Sequence, residues 1–448
     1  MFYLPKYIEQ ILYILEKNGY EAYVVGGSVR DMLLNKAPKD YDIATDATPE
    51  EVESIFHDLK KINVGKEFGT IILILKEGQV EITTFRLEGA YIDGRRPSWV
   101  KFSSKIVEDL SRRDFTINAM AYNHRTGLID PFRGKEDLKR GILRTVGNPE
   151  DRFSEDYLRI LRAVRFSTQL GFIIEESTYK AAKKYSKNVS SISMERITDE
   201  FFKILLCEKP SKGIRLLEEL GILEIILPEL VPAIGFDQKN PNHEMDVYEH
   251  TLCVLDNTLP IIQLRLAALF HDIGKPHTMT IDEEGIGHFY DHDKLSAEMS
   301  KEILTRFKCS NDLIQKVYIL VKEHMNHHAN FSEKGLKKLI RRVGEEEIFN
   351  LIKLQKADIK CSKKDATINH IIDREKRIMQ IIENKETYDL KQLEINGDDL
   401  ISLGFKEGKI IGKILEYLLE KVMEEPSLND KETLKKLALK KFSNKSKN

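Results

Sequence analysis

The sequence predicts an α+β chain, with a head of interleaved strands and helices and a longer all-α remainder. Three observations predict it. Short apolar runs at 23–25, 71–75 and 80–85 have strand length and are punctuated by glycine. From position 155 onward apolar residues recur at helical spacing, as Tyr157, Ile160, Leu161 and Val164 do. At 448 residues the chain also exceeds what one core holds, so roughly two to four domains are expected.

Taken in order, Ile8, Ile11, Leu12 and Leu15 share one helical face, giving an amphipathic first helix that ends near Gly19. Tyr23-Val24-Val25-Gly26-Gly27-Ser28-Val29-Arg30-Asp31 then reads as a strand, a tight turn and a helix start that continues through Met32, Leu33 and Leu34. Unsatisfied N–H groups at a helix N-terminus, beside glycines that admit close approach, make a phosphate cradle. Asp40 and Asp42 follow, two apart and flanked by Tyr41 and Ile43, so on a strand both carboxylates leave one face. Such a pair repels itself unless a cation lies between, and Mg²⁺ is the expected cation because it prefers oxygen and phosphate.

These residues together resemble the class II tRNA nucleotidyltransferases (the CCA-adding enzymes) and their bacterial poly(A) polymerase relatives, within the polymerase-β-like superfamily. The resemblance covers nearly the whole chain. It implies a nucleotidyltransferase head at 1–147, a neck of nucleotide- and RNA-binding helices at 148–235, an HD metal-phosphohydrolase-like body at 236–365 and a helical tRNA-binding tail at 366–448. It also implies that Gly26, Gly27 and Arg30 bind nucleotide and that Asp40 and Asp42 hold Mg²⁺.

Further along, Thr48-Pro49-Glu50-Glu51 has the pattern of a helix start, and 69–75 and 80–85 read as paired strands around Glu77-Gly78. Glu81 lies between apolar neighbours; a buried carboxylate needs a partner, and completing the metal site would supply one. Residues 86–100, with Gly89, Asp93, Gly94, Arg95, Arg96 and Pro97, read as a flexible basic loop, which in the resembling family helps the change from adding C to adding A. Ser111-Arg112-Arg113-Asp114-Phe115-Thr116-Ile117-Asn118-Ala119-Met120 is expected to open a helix and matches the family's second motif. Arginine's rigid fork suits phosphate oxygens, which assigns Arg113 to the triphosphate, while Asp114 is an acceptor for a ribose hydroxyl. Asp130-Pro131-Phe132-Arg133-Gly134 is a turn resembling the third motif, with a positioning role and no chemistry.

Residues 155–166 are expected to form one helix with Tyr157, Ile160, Leu161 and Val164 buried, Glu155, Arg159 and Arg162 opposite, and Asp156 and Arg165 on the margins. A solvated face laced with ion pairs is the plain alternative. The resemblance is sharper: Glu155-Asp156-x-x-Arg159 matches the family's base-reading motif, with Asp156 and Arg159 serving as a protein template. Cytosine and adenine both offer an amino donor beside a ring-nitrogen acceptor, whereas uracil and guanine offer a carbonyl beside an N–H. A carboxylate and a guanidinium therefore fit the first two bases and reject the others, each mismatch costing about 1–3 kcal/mol. Arg162 and Arg165 would hold phosphates or the RNA end.

Nine of the twelve histidines lie from His243 to His328, both included. Tyr248-Glu249-His250, His271-Asp272 and Asp358 match the HD metal-phosphohydrolase signature, and His292 and His324 are further candidate ligands for a binuclear site. This mixed nitrogen and oxygen set suits Mn²⁺, Fe²⁺, Ni²⁺ or Mg²⁺. Some HD-bearing members of the family hydrolyse phosphates or 2′,3′-cyclic phosphates, so a second activity is open here. Near the end, 393–422 resembles the family's tRNA-gripping tail, and Lys435, Lys436, Lys440, Lys441, Lys445 and Lys447 make a local basic terminus.

Composition limits the rest. Seventy-two acidic residues nearly cancel seventy basic ones, so any RNA surface is local and no DNA partner is expected. Cys207, Cys253, Cys309 and Cys361 show no Cys-x-x-Cys spacing, which argues against a zinc knuckle or a disulfide framework and for a reducing cytoplasm. No apolar run reaches membrane-spanning length, and Lys6, Glu9 and Glu16 among the N-terminal apolar residues argue against a signal peptide. The expected reaction is addition of C, C and A to the 3′ end of tRNA from CTP and ATP, with Asp40, Asp42 and Glu81 as the catalytic acids. Poly(A) polymerase activity, or addition of only A or only CC, is the alternative; Asn63-Val64-Gly65-Lys66-Glu67-Phe68-Gly69-Thr70 resembles the CCA-adding version.

Overall fold

The computed structural model describes residues 3–62, 69–89, 98–241, 244–362 and 367–442. Asn63 to Phe68, the loop interior with Asp93, Gly94, Arg95, Arg96 and Pro97, and Lys445 and Lys447 lie outside them. The chain divides into two compact units, Met1–Pro228 and Glu229–Asn448.

The first unit begins with α1 (Lys6–Lys17), β1 (Ala22–Val25), α2 (Gly27–Leu33), β2 (Asp42–Thr45), α3 (Pro49–Ile55), β3 (Lys60–Ile62), β4 (Thr70–Ile74), β5 (Gln79–Thr84), β6 (Arg86–Glu88), β7 (Val100–Phe102), α4 (Ile106–Ser111), β8 (Ala121–Asn123), β9 (Gly127–Ile129) and α5 (Gly134–Arg140). Seven strands form one sheet in the order β3-β4-β5-β2-β1-β8-β9. Its β2–β5 pairing is parallel and its β1–β2 pairing antiparallel. Strand alternation divides the core: Val24, Ile43, Ile71 and Ile82 face the α1 residues Ile8, Ile11, Leu12 and Leu15, while Tyr23, Val25 and Ala44 pack with Phe85, Ile106 and Leu110 on the other side. Thr48 and Glu51 make a capping box that starts α3 as its sequence foretold.

Four expectations are corrected. Residues 111–120 do not open a helix; they run from the end of α4 through one 3₁₀ turn toward β8. The Thr116 N–H bonds to the Arg144 carbonyl and the Val146 N–H to the Asp114 carbonyl, so strand-like pairing takes the groups a helix would use. Residues 155–166 are two helices, α6 (Pro149–Glu155) and α7 (Leu158–Leu170), because extended Asp156 interrupts them and its carboxylate accepts from the Leu158 N–H. Tyr157 is accordingly only half-buried, although Ile160, Leu161 and Val164 are buried as expected. Asp40 precedes β2 rather than lying on it, and Glu81 is exposed on an interior strand, so burial is not what gives it a partner. The unit continues with α8 (Glu176–Tyr185), α9 (Met194–Leu205), α10 (Pro210–Glu219) and α11 (Leu223–Ile226).

Among its described residues the second unit is helical apart from one hairpin, Met279–Ile281 with Gly287–Phe289. It comprises α12 (Val247–Asp256), α13 (Ile262–Phe270), α14 (Lys275–Thr278), α15 (His292–Arg306), α16 (Asn311–Glu323), α17 (Glu333–Val343), α18 (Ile348–Ser362), α19 (Asn369–Glu383), α20 (Gly397–Ser402), α21 (Lys409–Glu424) and α22 (Lys431–Phe442). Asn396 and Asp399 cap α20, and Gly404 and Gly408, both at positive φ, separate it from α21. The cysteine reading is also corrected: Cys253 on α12 and Cys361 on α18 form a disulfide across 108 positions, which spacing along the chain could not disclose. Among the described residues no helix is long and apolar enough to cross a membrane.

Candidate active site

Strand β1 delivers the chain to Gly26, whose φ of 74° needs a residue without Cβ; a methyl there would stand 2.8 Å from the Arg113 Nη1. The resulting cleft, about 960 Å³, is lined by every residue the sequence assigned to nucleotide binding, from Gly26, Gly27 and Arg30 through Arg113 and Asp114 to Asp156, Arg159, Arg162 and Arg165, and by Asp40 and Asp42. Glu81 does not line it, but sits in register with Asp42 across β2 and β5. Asp42 remains accessible to water at the cleft floor, yet crowding by surrounding protein, with Glu81 and Asp40 nearby, outweighs Arg113 and pushes its carboxyl up to about 6. An acid so raised is one that a cation would return to its ionised form.

The arginines are held by buried acids. Asp109, with no exposed surface, accepts from Arg112 at 2.7 Å and Arg113 at 3.2 Å. Burial opposes its ionisation, but those two guanidinium groups hold it below the usual carboxylate range. Arg30 donates to Asn118 Oδ1 at 2.8 Å, Asn118 donates to Asp114 Oδ1 at 3.2 Å, and Asp114 Oδ2 accepts from Arg162 Nε at 2.7 Å. Burial again opposes the charge on Asp114, and Arg162 overcomes it. Arg30, Arg162 and Arg165 surround the Phe166 ring, their guanidinium carbons 5.3, 5.4 and 4.2 Å from its centroid. Asn118, Asp109 and Phe166 were not singled out from the sequence. Asn118 lies inside the 111–120 stretch, and the local mark of Asp109 is Arg112 and Arg113 three and four positions on.

Where α6 meets α7, Asp156 Oδ2 accepts from Arg196 Nη2 at 2.7 Å, and Arg159 pairs with Glu155 and donates to the Arg112 carbonyl at 3.2 Å. Arg196 on α9 thus holds one member of the pair and Glu155 the other. The Asp130 carboxylate accepts from the Gly134 and Lys135 N–H groups, and Gly134 packs where a Cβ would meet the Thr116 carbonyl at 2.2 Å, consistent with a purely structural turn.

The second unit gathers the other predicted set. His250 Nε2 lies 3.1 Å from Asp358 Oδ1 and 3.3 Å from His271 Nε2, and His271 Nε2 lies 3.3 Å from Asp272 Oδ2. His292 Nε2 approaches Asp272 Oδ1 to 3.3 Å and His324 Nε2 to 3.8 Å; neither imidazole nitrogen makes a hydrogen bond, though both are buried. Burial, with His271 and His292 adjacent, pushes His324 down to about 3, so its ring is neutral at pH 7. Burial works against the charge on Asp272 as well, but His271 and Lys275 keep it ionised. The unused Nε2 atoms of His292 and His324, converging on the Asp272 carboxylate beside His250, His271 and Asp358, are a donor set that fits a divalent transition metal.

A glycine turn, in-register carboxylates and ranked arginines on this mixed sheet define a nucleotidyltransferase with a polymerase-β-like head. Residues 22–144 match the family model of the poly A polymerase head domain, 171–234 that of the probable RNA and SrmB-binding site of polymerase A, and 278–438 that of tRNA nucleotidyltransferase domain 2. The chain is 35% identical over 446 residues to the CCA-adding enzyme of Ligilactobacillus salivarius, with 96% of each covered. It superposes on the Bacillus stearothermophilus CCA-adding enzyme in complex with CTP with a TM-score of 0.74 at 27% identity, covering 98% of both chains. For the Thermotoga maritima CCA-adding enzyme complexed with tRNA the TM-score is 0.56 at 25% identity, covering 98% of this chain and 96% of that one. The chain belongs to the CCA-adding enzymes, a family of tRNA nucleotidyltransferases. That membership supports CCA addition over the poly(A) polymerase and single-step alternatives.

Proposed function

We propose that this chain binds CTP or ATP in the cleft of its first unit and joins the nucleotide to a tRNA 3′ end, with Asp40, Asp42 and Glu81 as the acidic centre. The 3′-hydroxyl oxygen attacks the α-phosphorus, and the bond to the bridging oxygen breaks to release pyrophosphate. Arg30 and Arg113 bind the triphosphate beside the Gly26 turn, and Arg162 and Arg165 hold phosphates or the RNA end. Asp156 and Arg159 select cytosine and adenine by the donor and acceptor order of their base edges, with Asp114 toward the ribose. Mg²⁺ held by Asp40 and Asp42, with Glu81 beside them, would activate the hydroxyl and offset charge on the departing pyrophosphate. The observation that carries the reading is the gathering of Asp40, Asp42 and the arginines around one cleft, with Glu81 in register beside Asp42. The four segments 1–147, 148–235, 236–365 and 366–448 are its head, neck, body and tail, and a cytoplasmic location fits a tRNA substrate. Incubating tRNA that ends before CCA with CTP and ATP, singly and together, and sequencing the ends tests the activity. Failure to extend with both nucleotides present overturns it.

A second reading concerns the second unit. The convergence of His250, His271, Asp272 and Asp358, with His292 and His324, supports an HD-type metal site able to hydrolyse phosphate esters. Assay with 2′,3′-cyclic AMP and Mn²⁺ or Ni²⁺ tests it, and absence of turnover with every metal counts against it.

A further inference from the structure

Cys253 follows His250 by three positions on α12, and Cys361 follows Asp358 by three on α18. Each cysteine therefore lies one helical turn beyond a residue of the buried His/Asp cluster, on the same side of its helix. The two helices meet twice in succession: His250 Nε2 touches Asp358 Oδ1 at 3.1 Å, and the disulfide joins the backbones with Cα atoms 5.9 Å apart. Asn257 Nδ2 lies 3.7 Å from Cys253 Sγ and 3.6 Å from Cys361 Sγ. Cys253 is partly exposed, whereas Cys361 is 5% exposed.

We propose that Cys253 and Cys361 are a thiol–disulfide exchange site that sets the metal affinity of the adjoining His/Asp cluster. The proposal rests on the metal-site reading of that cluster. In a cytoplasmic protein a cysteine pair at bonding distance is more often a redox-responsive pair than a permanent staple. The exchange partner is a low-molecular-weight disulfide. The more accessible Cys253 thiolate attacks one sulfur of that disulfide, forming a mixed disulfide and expelling one thiolate. The Cys361 thiolate then attacks the Cys253 sulfur, the protein S–S bond forms, and the second thiolate leaves. The protein loses two electrons and two protons, and the small disulfide becomes two thiols. Cys207 is buried and Cys309 is pushed up to about 11 by burial, so neither competes.

The link fixes the spacing of α12 and α18 one turn from His250 and Asp358. Oxidation therefore holds both side chains at ligating distance, and reduction releases that constraint. The full chain is treated with oxidised or reduced glutathione, its thiols are counted by alkylation and mass spectrometry, and Mn²⁺ is titrated calorimetrically into each form. The expected result is two fewer alkylated thiols in the oxidised form, both traced to Cys253 and Cys361, and Mn²⁺ affinity about tenfold weaker after reduction. Cys253→Ser and Cys361→Ser bind Mn²⁺ with the reduced-form affinity under both conditions, and their CTP incorporation reports that they are folded. Equal Mn²⁺ affinity in the two forms of the unaltered chain, or four alkylated thiols after oxidation, overturns the proposal while leaving the metal reading standing. Absence, in both forms, of an Mn²⁺-binding event that Asp358→Asn removes overturns the metal reading and this proposal with it.

Discussion

Asp42 and Glu81 stand opposite each other in register across the parallel strands β2 and β5, so two carboxylates share one face of the sheet at the edge of the arginine-lined cleft. This juxtaposition helps raise Asp42 to about 6 from its ordinary 3.8. A carboxyl whose folded value is raised favours the fold in its protonated form. That stabilisation is complete below about pH 4 and is lost as pH rises through about 6. An asparagine side chain in place of Asp42 mimics the protonated acid. The metal-free Asp42→Asn variant is therefore expected to match the parent at low pH and exceed it above pH 6 by at most about 1 kcal/mol, because solvent screens an accessible group. Urea unfolding at several pH values checks this, and the same variant should fail to incorporate CTP or ATP.

Gly26→Ala combines a left-handed backbone with a methyl 2.8 Å from the Arg113 Nη1. A cost of about 1–2 kcal/mol is expected from the backbone alone. Displacement of Arg113 should also raise the KM for CTP, which steady-state kinetics would read separately from the melting temperature.

Asp109 holds Arg112 and Arg113 from a fully buried position. Asp109→Asn removes the charge that compensates them, and a loss of about 3 kcal/mol is expected. If Asp109 also positions Arg113, the weakening of CTP binding should exceed that of a control substitution of equal stability cost elsewhere in the core.

Asp156 and Arg159 are separately tethered, by Arg196 and Glu155. The double variant Asp156→Ala with Arg159→Ala is expected to admit UTP and GTP while Mg²⁺ dependence persists. Firm rejection of UTP and GTP by that variant would remove the base-reading assignment.

In the second unit, Mn²⁺ at a hundredfold excess over its dissociation constant should stabilise the fold by about 2.7 kcal/mol, seen as a rise in the relevant unfolding transition. Asp358→Asn is expected to abolish that rise, since it removes the anionic oxygen nearest His250 Nε2.

Local chemistry made much of this protein legible in its sequence. The α1 periodicity, the Thr48 capping box, the strands at β4 and β5 and the Gly404 and Gly408 breaks all follow from neighbours a few residues apart, where propensity and capping act. The acids and arginines of the cleft were visible because nucleotide chemistry demands unusual residue types close together. What the sequence could not decide were partnerships across distance. The 111–120 stretch lost its helix to pairing with residues 144–146, Asp156 split one expected helix into two, and Glu81 found its neighbour through strand register rather than burial. The Arg30–Asn118 contact and the Cys253–Cys361 link acquire meaning only when packing brings their partners near, because a contact between remote positions costs chain entropy that no short stretch of residues can reveal.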